Sequence, residues 1–171
     1  MITLRAFQPD DIPALVQLLN EDAVTRFLST KIPQPYSPDD ASWWVHEGSL
    51  SGINRAIEVD GVLAGCVGVK RGEFEYSRSG ELGYWLGAAF WQQGIATAAA
   101  RQLIAEVFEH TDIARIFAVV FSGNQASMAL LRKVGFSEEA VLRQAIFKQG
   151  QFYDSHVFSL LNVAQQSGRV G

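Results

Sequence analysis

Apolar and polar positions change period several times along this chain, and each change marks a new element. Ile2 to Phe7 alternates, as a strand with one buried face does. Pro9-Asp10-Asp11 opens an amphipathic helix with Leu15, Leu18 and Leu19 on one face. A further helical piece covers Ala23 to Leu28, and Pro33-Gln34-Pro35-Tyr36-Ser37-Pro38 breaks it. Ser37 or Asp39 then caps a helix through Trp43-Trp44-Val45. Strands are predicted at Asn54 to Val59 and Leu63 to Arg71, joined by the hairpin signal Asp60-Gly61. Gly80 to Leu86 is the central strand. The helix Gly94 to His110 points Ile95, Ala99, Leu103, Val107 and Phe108 inward. Ile116 to Phe121 is β-branched and aromatic, a strand parallel to the central one. Asn124 opens a helix that Gly135 ends. Ala140 to Lys148 and Phe152 to Leu161 form a last hairpin at Gln149-Gly150. The order implies an α/β (α+β) fold.

Composition narrows the class. At 171 residues, with 48% hydrophobic and 19% charged positions, one globular domain over residues 1–171 is expected. The net charge of −4 offers no basic footprint for nucleic acid, and mild acidity suits a cationic amine partner. The lone Cys66 sits in the apolar run Val62 to Val69 and reads as a buried thiol. No run is long enough to span a membrane and no signal peptide precedes Met1-Ile2-Thr3, so a cytoplasmic location and no membrane partner are expected. No metal-ligand spacing is present.

The candidate chemistry lies where the central strand gives way to the long helix. Glu81-Leu82-Gly83-Tyr84-Trp85-Leu86 leads through Trp91-Gln92-Gln93-Gly94 into Ile95-Ala96-Thr97. Strand, glycine turn and helix start together form an anion site, since unpaired N–H groups and the positive end of a helix dipole meet there. Gly94 lets the backbone approach a ligand closely and adopt conformations that a Cβ forbids. A P-loop needs Lys followed by Ser or Thr, and a dinucleotide fingerprint needs three spaced glycines; neither is here. A diphosphate carrier without metal-dependent phosphoryl chemistry remains, and coenzyme A fits.

The run Gly83-Tyr84-Trp85-Leu86, then Phe90-Trp91-x-x-Gly94-Ile95-Ala96-Thr97, resembles the GNAT superfamily of acyl-CoA-dependent N-acetyltransferases, in its Rim-type, ribosomal-protein N-terminal acetyltransferase branch. Asn124-Gln125-Ala126-Ser127 with Leu130 to Phe136, and Glu139 to Arg143 with Gly150 to Asp154, resemble that branch's later motifs. The likeness covers about residues 2–161. It implies a mixed, mostly antiparallel sheet with a splayed parallel pair, flanked by helices. It implies acetyl-CoA as co-substrate, no metal, and an amine acceptor, either a protein N-terminus or a small molecule. Trp85, Leu86, Gly87, Gln92, Gln93, Gly94, Ile95, Ala96, Thr97, Asn124 and Ser127 would hold the cofactor, with amides near Leu86 and Gly87 polarising the acetyl carbonyl. Ser127 would hydrogen-bond the leaving thiolate, or serve only the first turn of its helix.

Glu139 is the leading candidate base, with Glu138 as its register rival and Glu81 as runner-up. Glu138 and Glu139 equally read as solvated charges in a turn, and Glu81 as a strand-end pair. Tyr36, Trp44 and Tyr84 are candidate acceptor contacts, as are Trp43, Phe74, Tyr76 and His46, although packing or plain surface accounts for each. Two departures stand out: Leu131 occupies the usual position of a tyrosine acid, and Gln92 a usual glycine. The rival readings are a CoA-binding sensor without catalysis and another α/β nucleotide-binding domain. A monomer and a homodimer both fit.

Overall fold

The computed structural model describes residues 1–165; residues 166–171 of the expected domain lie outside the described residues. Among the described residues, seven strands lie in the order β1-β2-β3-β4-β5-β7-β6. They are β1 Ile2–Arg5, β2 Ile53–Val59, β3 Val62–Arg71, β4 Ser79–Leu86, β5 Arg115–Phe121, β6 Ser137–Lys148 and β7 Gln151–Leu161. The helices are α1 Ile12–Leu18, α2 Asp22–Thr25, α3 Pro38–His46, α4 Ile95–His110 and α5 Gln125–Val134. β4 and β5 run parallel, pairing Ser79 with Arg115, Gly80 with Ile116 and Glu81 with Phe117. β1–β2, β5–β7 and β6–β7 are antiparallel. This is the mixed, mostly antiparallel sheet with flanking helices that the family resemblance implies.

The chain divides into two compact units. The first holds residues 1–68 and 83–100. Phe7, Leu15, Leu18, Leu19, Val45, Leu63 and Cys66 belong to its core. Ser37 accepts from the Asp40 amide at 3.1 Å while Asp40 accepts from the Ser37 amide, a reciprocal cap that starts α3 with Pro38 in its first turn. Arg5 grips Asp11 through two 2.8 Å bonds and ties the end of β1 to the turn before α1. The strand therefore stops at Arg5, and Phe7, expected within it, turns into the core edge-on to Trp44.

The close approach of β3 to β4 is set by glycine. A Cβ on Gly65 would stand 2.1 Å from the Trp85 carbonyl oxygen and 3.0 Å from Leu86 Cα. Backbone atoms cannot yield as a side-chain tip would, so only glycine fits.

The second unit holds residues 69–82 and, among the described residues, 101–165. Ile113, Ile116, Leu131 and Phe158 are fully buried in it. α5 begins at Asn124, whose side chain accepts from the Ser127 amide, and ends at Gly135 with φ 107°. The Phe136 amide donates to Leu131 O at 2.9 Å, closing a left-handed C-cap. β6 starts at Ser137 rather than at Ala140, so Glu138 and Glu139 are strand residues and not part of a turn. The physical reason is pairing: Ser137 faces Ser159 and Glu138 faces Phe158, and a register shift intervenes before Ala140. Polar residues on an exposed edge strand give no hydrophobic alternation to read.

Gly65→Ala is expected to destabilise the fold by about 3 kcal/mol, the scale of an overpacked interior. Gly83→Ala is the control, because a Cβ there meets nothing within 4 Å. It should be neutral or slightly stabilising. Equal chemical-denaturation midpoints for the two variants would refute this account of Gly65.

Candidate active site

The first unit builds the turn. β4 ends at Leu86, and residues Ala88 to Phe90 make a single tight helical turn. The Gly87 amide donates to Ala64 O at 2.8 Å. The Trp91 indole N–H reaches back to Leu86 O at 2.9 Å, and the Gln93 side-chain amide donates to Ala89 O at 3.0 Å. Gln92 and Gly94 both take left-handed conformations, with φ of 59° and 75°. The first bond of α4 closes from the Ala98 amide to Gly94 O at 3.0 Å. The amides of Ile95, Ala96 and Thr97 precede it and have no acceptor within the helix. They are the donors that the sequence reading expected, at the positive end of a 16-residue helix.

Two details refine that expectation. A Cβ on Gly94 would meet nothing within 4 Å, so this glycine serves the turn's conformation and leaves the space above it open. Gln92 is exposed and has room for its side chain; its departure from glycine costs about 1 kcal/mol of backbone strain instead. The Gly87 amide is committed to Ala64, so in this conformation it is not a donor for an acetyl carbonyl.

The expected aromatic contacts fall mainly to packing. Tyr36 is 6% exposed within the core, and Asn20 holds its backbone from both sides. Burial pushes the Tyr36 hydroxyl up to about 12. Trp44 packs on the same core, and Trp85 with it, while Tyr84 is half-buried. Trp43, Phe74 and Tyr76 are exposed. His46 Nδ1 lies 2.8 Å from Ser42 O and holds its own helix turn. Cys66 is buried, and burial lifts its thiol to about 12, so it carries no thiolate at neutral pH.

The second unit holds the candidate acid–base groups. Glu81 pairs with Phe117, Phe117 with Ser159 and Ser159 with Ser137, one row across the sheet. Residues directly opposite share a face, so Glu81, Phe117 and Ser159 point the same way. Glu139 enters this row: Ser159 Oγ donates to its Oε2 at 3.0 Å, and Arg115 donates to its Oε1. Both oxygens of Glu139 are therefore engaged. Glu138 bonds Arg132 at 2.9 Å and His156 at 3.0 Å, and His156 above all holds its carboxyl below the usual range. The exposed Glu81 carboxylate has no ion pair or hydrogen bond among the described residues. Asn124 and Ser127 share the first turn of α5, beyond the far end of β5. Four residue steps along β5, about 13 Å, separate Phe117 from Phe121, so Glu139 and Ser127 are not neighbours.

Sequence reasoning missed three groups. Arg115 claims Glu139. Asp154 Oδ1 accepts the amide of the left-handed Gln144 at 2.9 Å, while the Asp154 amide donates to Ser122 Oγ. Glu21 Oε2 accepts the Ala88 amide at 3.1 Å. Only Asp154 lay in a motif already singled out. No group of three or more His, Cys, Asp or Glu positioned for a metal occurs among the described residues. No helix among them is long and apolar enough to cross a membrane.

Residues 1–137 match the family model described as an acetyltransferase (GNAT) domain. The chain is 30% identical over 168 residues to "Putative ribosomal N-acetyltransferase YdaF" of Bacillus subtilis (strain 168), covering 94% of this chain and 91% of that one. It is 25% identical over 158 residues to the spermidine N(1)-acetyltransferase of Escherichia coli (strain K12), covering 88% of this chain and 81% of that one. Among solved structures, RimL, a ribosomal L7/L12 alpha-N-protein acetyltransferase in complex with coenzyme A, superposes with a TM-score of 0.82 at 24% identity. That alignment covers 94% of this chain and 93% of RimL.

Gly94→Asp puts bulk and negative charge where the diphosphate is expected to sit. Coenzyme A affinity, measured calorimetrically without divalent metal, should fall by about 10-fold or more. Undiminished binding would remove the turn from the site.

Proposed function

The chain belongs to the GNAT acetyltransferases, and from that premise we propose that it carries an acetyl group from acetyl-CoA directly to a protein N-terminal α-amine. It is an acyl-CoA-dependent N-acetyltransferase. The observation that carries the reading is the turn from Leu86 to Thr97, with its unpaired amides at a helix start. We assign the diphosphate to this turn, and Asn124 and Ser127 to the pantetheine arm and the departing thiolate. Acetyl-CoA as donor also supports a cytoplasmic setting.

The acceptor is argued from proton chemistry and from the relatives. An α-amine titrates near 8 and a lysine amine near 10.4, so deprotonation at pH 7 costs about 1 kcal/mol for the first and about 4–5 for the second. A solvent-exposed carboxylate suffices for the first. The names of YdaF and RimL support a ribosomal-protein terminus. The spermidine acetyltransferase relative supports a second reading, a small polyamine acceptor. With Cys66 buried and protonated, a covalent acetyl-thiol intermediate has no support, and direct transfer is the simpler course.

We take Glu81 as the base in preference to Glu139. A base must present a free lone pair to the amine or to a bridging water. Each oxygen of Glu139 already accepts a hydrogen bond, whereas both oxygens of Glu81 are unengaged among the described residues. Proton loss, attack of the amine nitrogen on the thioester carbon and departure of the thiolate then balance the transfer, the thiolate taking a hydrogen bond from Ser127.

The deciding experiment is thiol release from acetyl-CoA across a panel of peptide N-termini and polyamines. A CoA-binding chain that releases thiol with none of them would favour the sensor reading.

Ser127→Ala should lower kcat more than acetyl-CoA affinity, because a bond to the leaving group strengthens as charge develops. A rise in KM for acetyl-CoA alone would make Ser127 a binding residue.

Glu81→Gln should reduce kcat by roughly 100-fold, the scale of general-base loss. Glu139→Gln removes only a surface ion pair and should leave kcat within a few-fold and stability within about 1 kcal/mol. The reverse ranking would return the base to Glu139.

A further inference from the structure

From the contact at the head of the turn we infer that Glu21 is a positioning residue for the diphosphate loop, acting through the Ala88 amide; this rests on assigning coenzyme A to that loop. Glu21 lies 67 positions before Ala88, yet its Oε2 accepts the Ala88 N–H at 3.1 Å. Its own backbone is fixed. The Glu21 amide donates to Leu18 O at 3.2 Å, and Glu21 O accepts from Val24 and Thr25 at 2.9 and 3.1 Å as the start of α2. The side chain is half-buried, so few rotamers remain to be lost on making the bond. Leu18, three residues earlier, stands so near Gly87 that a Cβ there would come within 2.5 Å of its Cδ2. The segment Leu18–Glu21 therefore fixes Gly87 by contact and Ala88 by a charge-assisted bond.

The rest of the turn is built on Ala88. Ala88 O accepts the Trp91 amide at 3.2 Å, and Gly87 O accepts the Phe90 amide at 2.9 Å. The indole of Trp91 returns to Leu86. Two left-handed residues, Gln92 and Gly94, then aim the amides of Ile95 to Thr97. A turn carrying that strain drifts unless it is held at its base. The bonds of Trp91 and Gln93 stay within the turn, whereas Glu21 ties it to a distant part of the chain. The bond needs an acceptor oxygen at this point, and its charge strengthens it.

The test measures coenzyme A affinity by calorimetry, and KM for acetyl-CoA and for an acceptor peptide, in Glu21→Ala and Glu21→Gln. The Ala variant should weaken coenzyme A binding about 10-fold, the scale of a lost bond to a charged group, with acceptor KM little changed. The Gln variant keeps an oxygen acceptor and should recover most of the affinity. Thermal midpoints of both variants are read alongside. A Glu21→Ala chain that loses stability but binds coenzyme A normally would overturn the inference, leaving Glu21 a fold residue. So would a Gln variant as impaired as Ala with the defect in acceptor KM, since the charge would then be serving the amine. Gly94→Asp is the reference: if it too binds normally, the assignment of the loop has failed rather than the role of Glu21.

Discussion

The contact between Gly65 and Trp85 is the constraint on which the turn depends. Two strand backbones approach there more closely than any side chain permits. The contact fixes where β4 ends, and one residue further Gly87 continues it by donating to Ala64. The chain then leaves the sheet at a defined point, in a defined direction. An anion site made of amides needs that, because its donors are aimed by backbone torsions and no side chain can correct them. β3 is buried continuously from Leu63 to Val69, so the frame holding the contact is itself rigid.

The turn stores strain on that frame. Gln92 in a left-handed conformation costs about 1 kcal/mol that glycine would not. Hydrogen bonds from Trp91, Gln93 and Ala88 are each worth on the order of 1 kcal/mol net and offset it. An unliganded helix start gains no such compensation: the amides of Ile95, Ala96 and Thr97 wait for an acceptor. The strain and the unmet donors lie within six residues of each other. On the proposed assignment of a diphosphate to this turn, they form a preorganised site, in which ordering is completed by folding and does not fall to the ligand.

Much of this was legible in the sequence, for identifiable reasons. The 3.6-residue period placed α4, whose Ile95, Ala99, Leu103 and Val107 are all buried. Ser37, Asn124 and Gly135 act locally, as N-caps and a left-handed C-cap, so their letters sufficed. The surroundings of the candidate bases were harder to read. Glu139 matched a motif, but its partner Arg115 lies 24 residues away and no local pattern announces that pairing. The start of β6 was missed because an exposed edge strand carries no alternation. Tyr36 and Trp44 look like cleft aromatics by type, and only the fold shows them in the core.

The two carboxylates differ in their surroundings, and the proposed choice of Glu81 as base rests on that difference. Glu81 and Glu139 meet the same row of the sheet on the same face, so position alone does not separate them. Their surroundings do. Arg115 spans from Ser79, one row away, to Glu139, and Ser159 donates to the other oxygen. A carboxylate held from both sides is a structural strut of the β5–β7–β6 edge, whatever its chemistry in isolation. A carboxylate on the same face with no partner keeps its lone pairs for whatever arrives. Acetylation of a weakly basic α-amine needs only a modest acceptor for one proton, delivered at the right moment through water if need be. Availability therefore outweighs basicity here, and availability is a property of neighbours that a linear motif does not record.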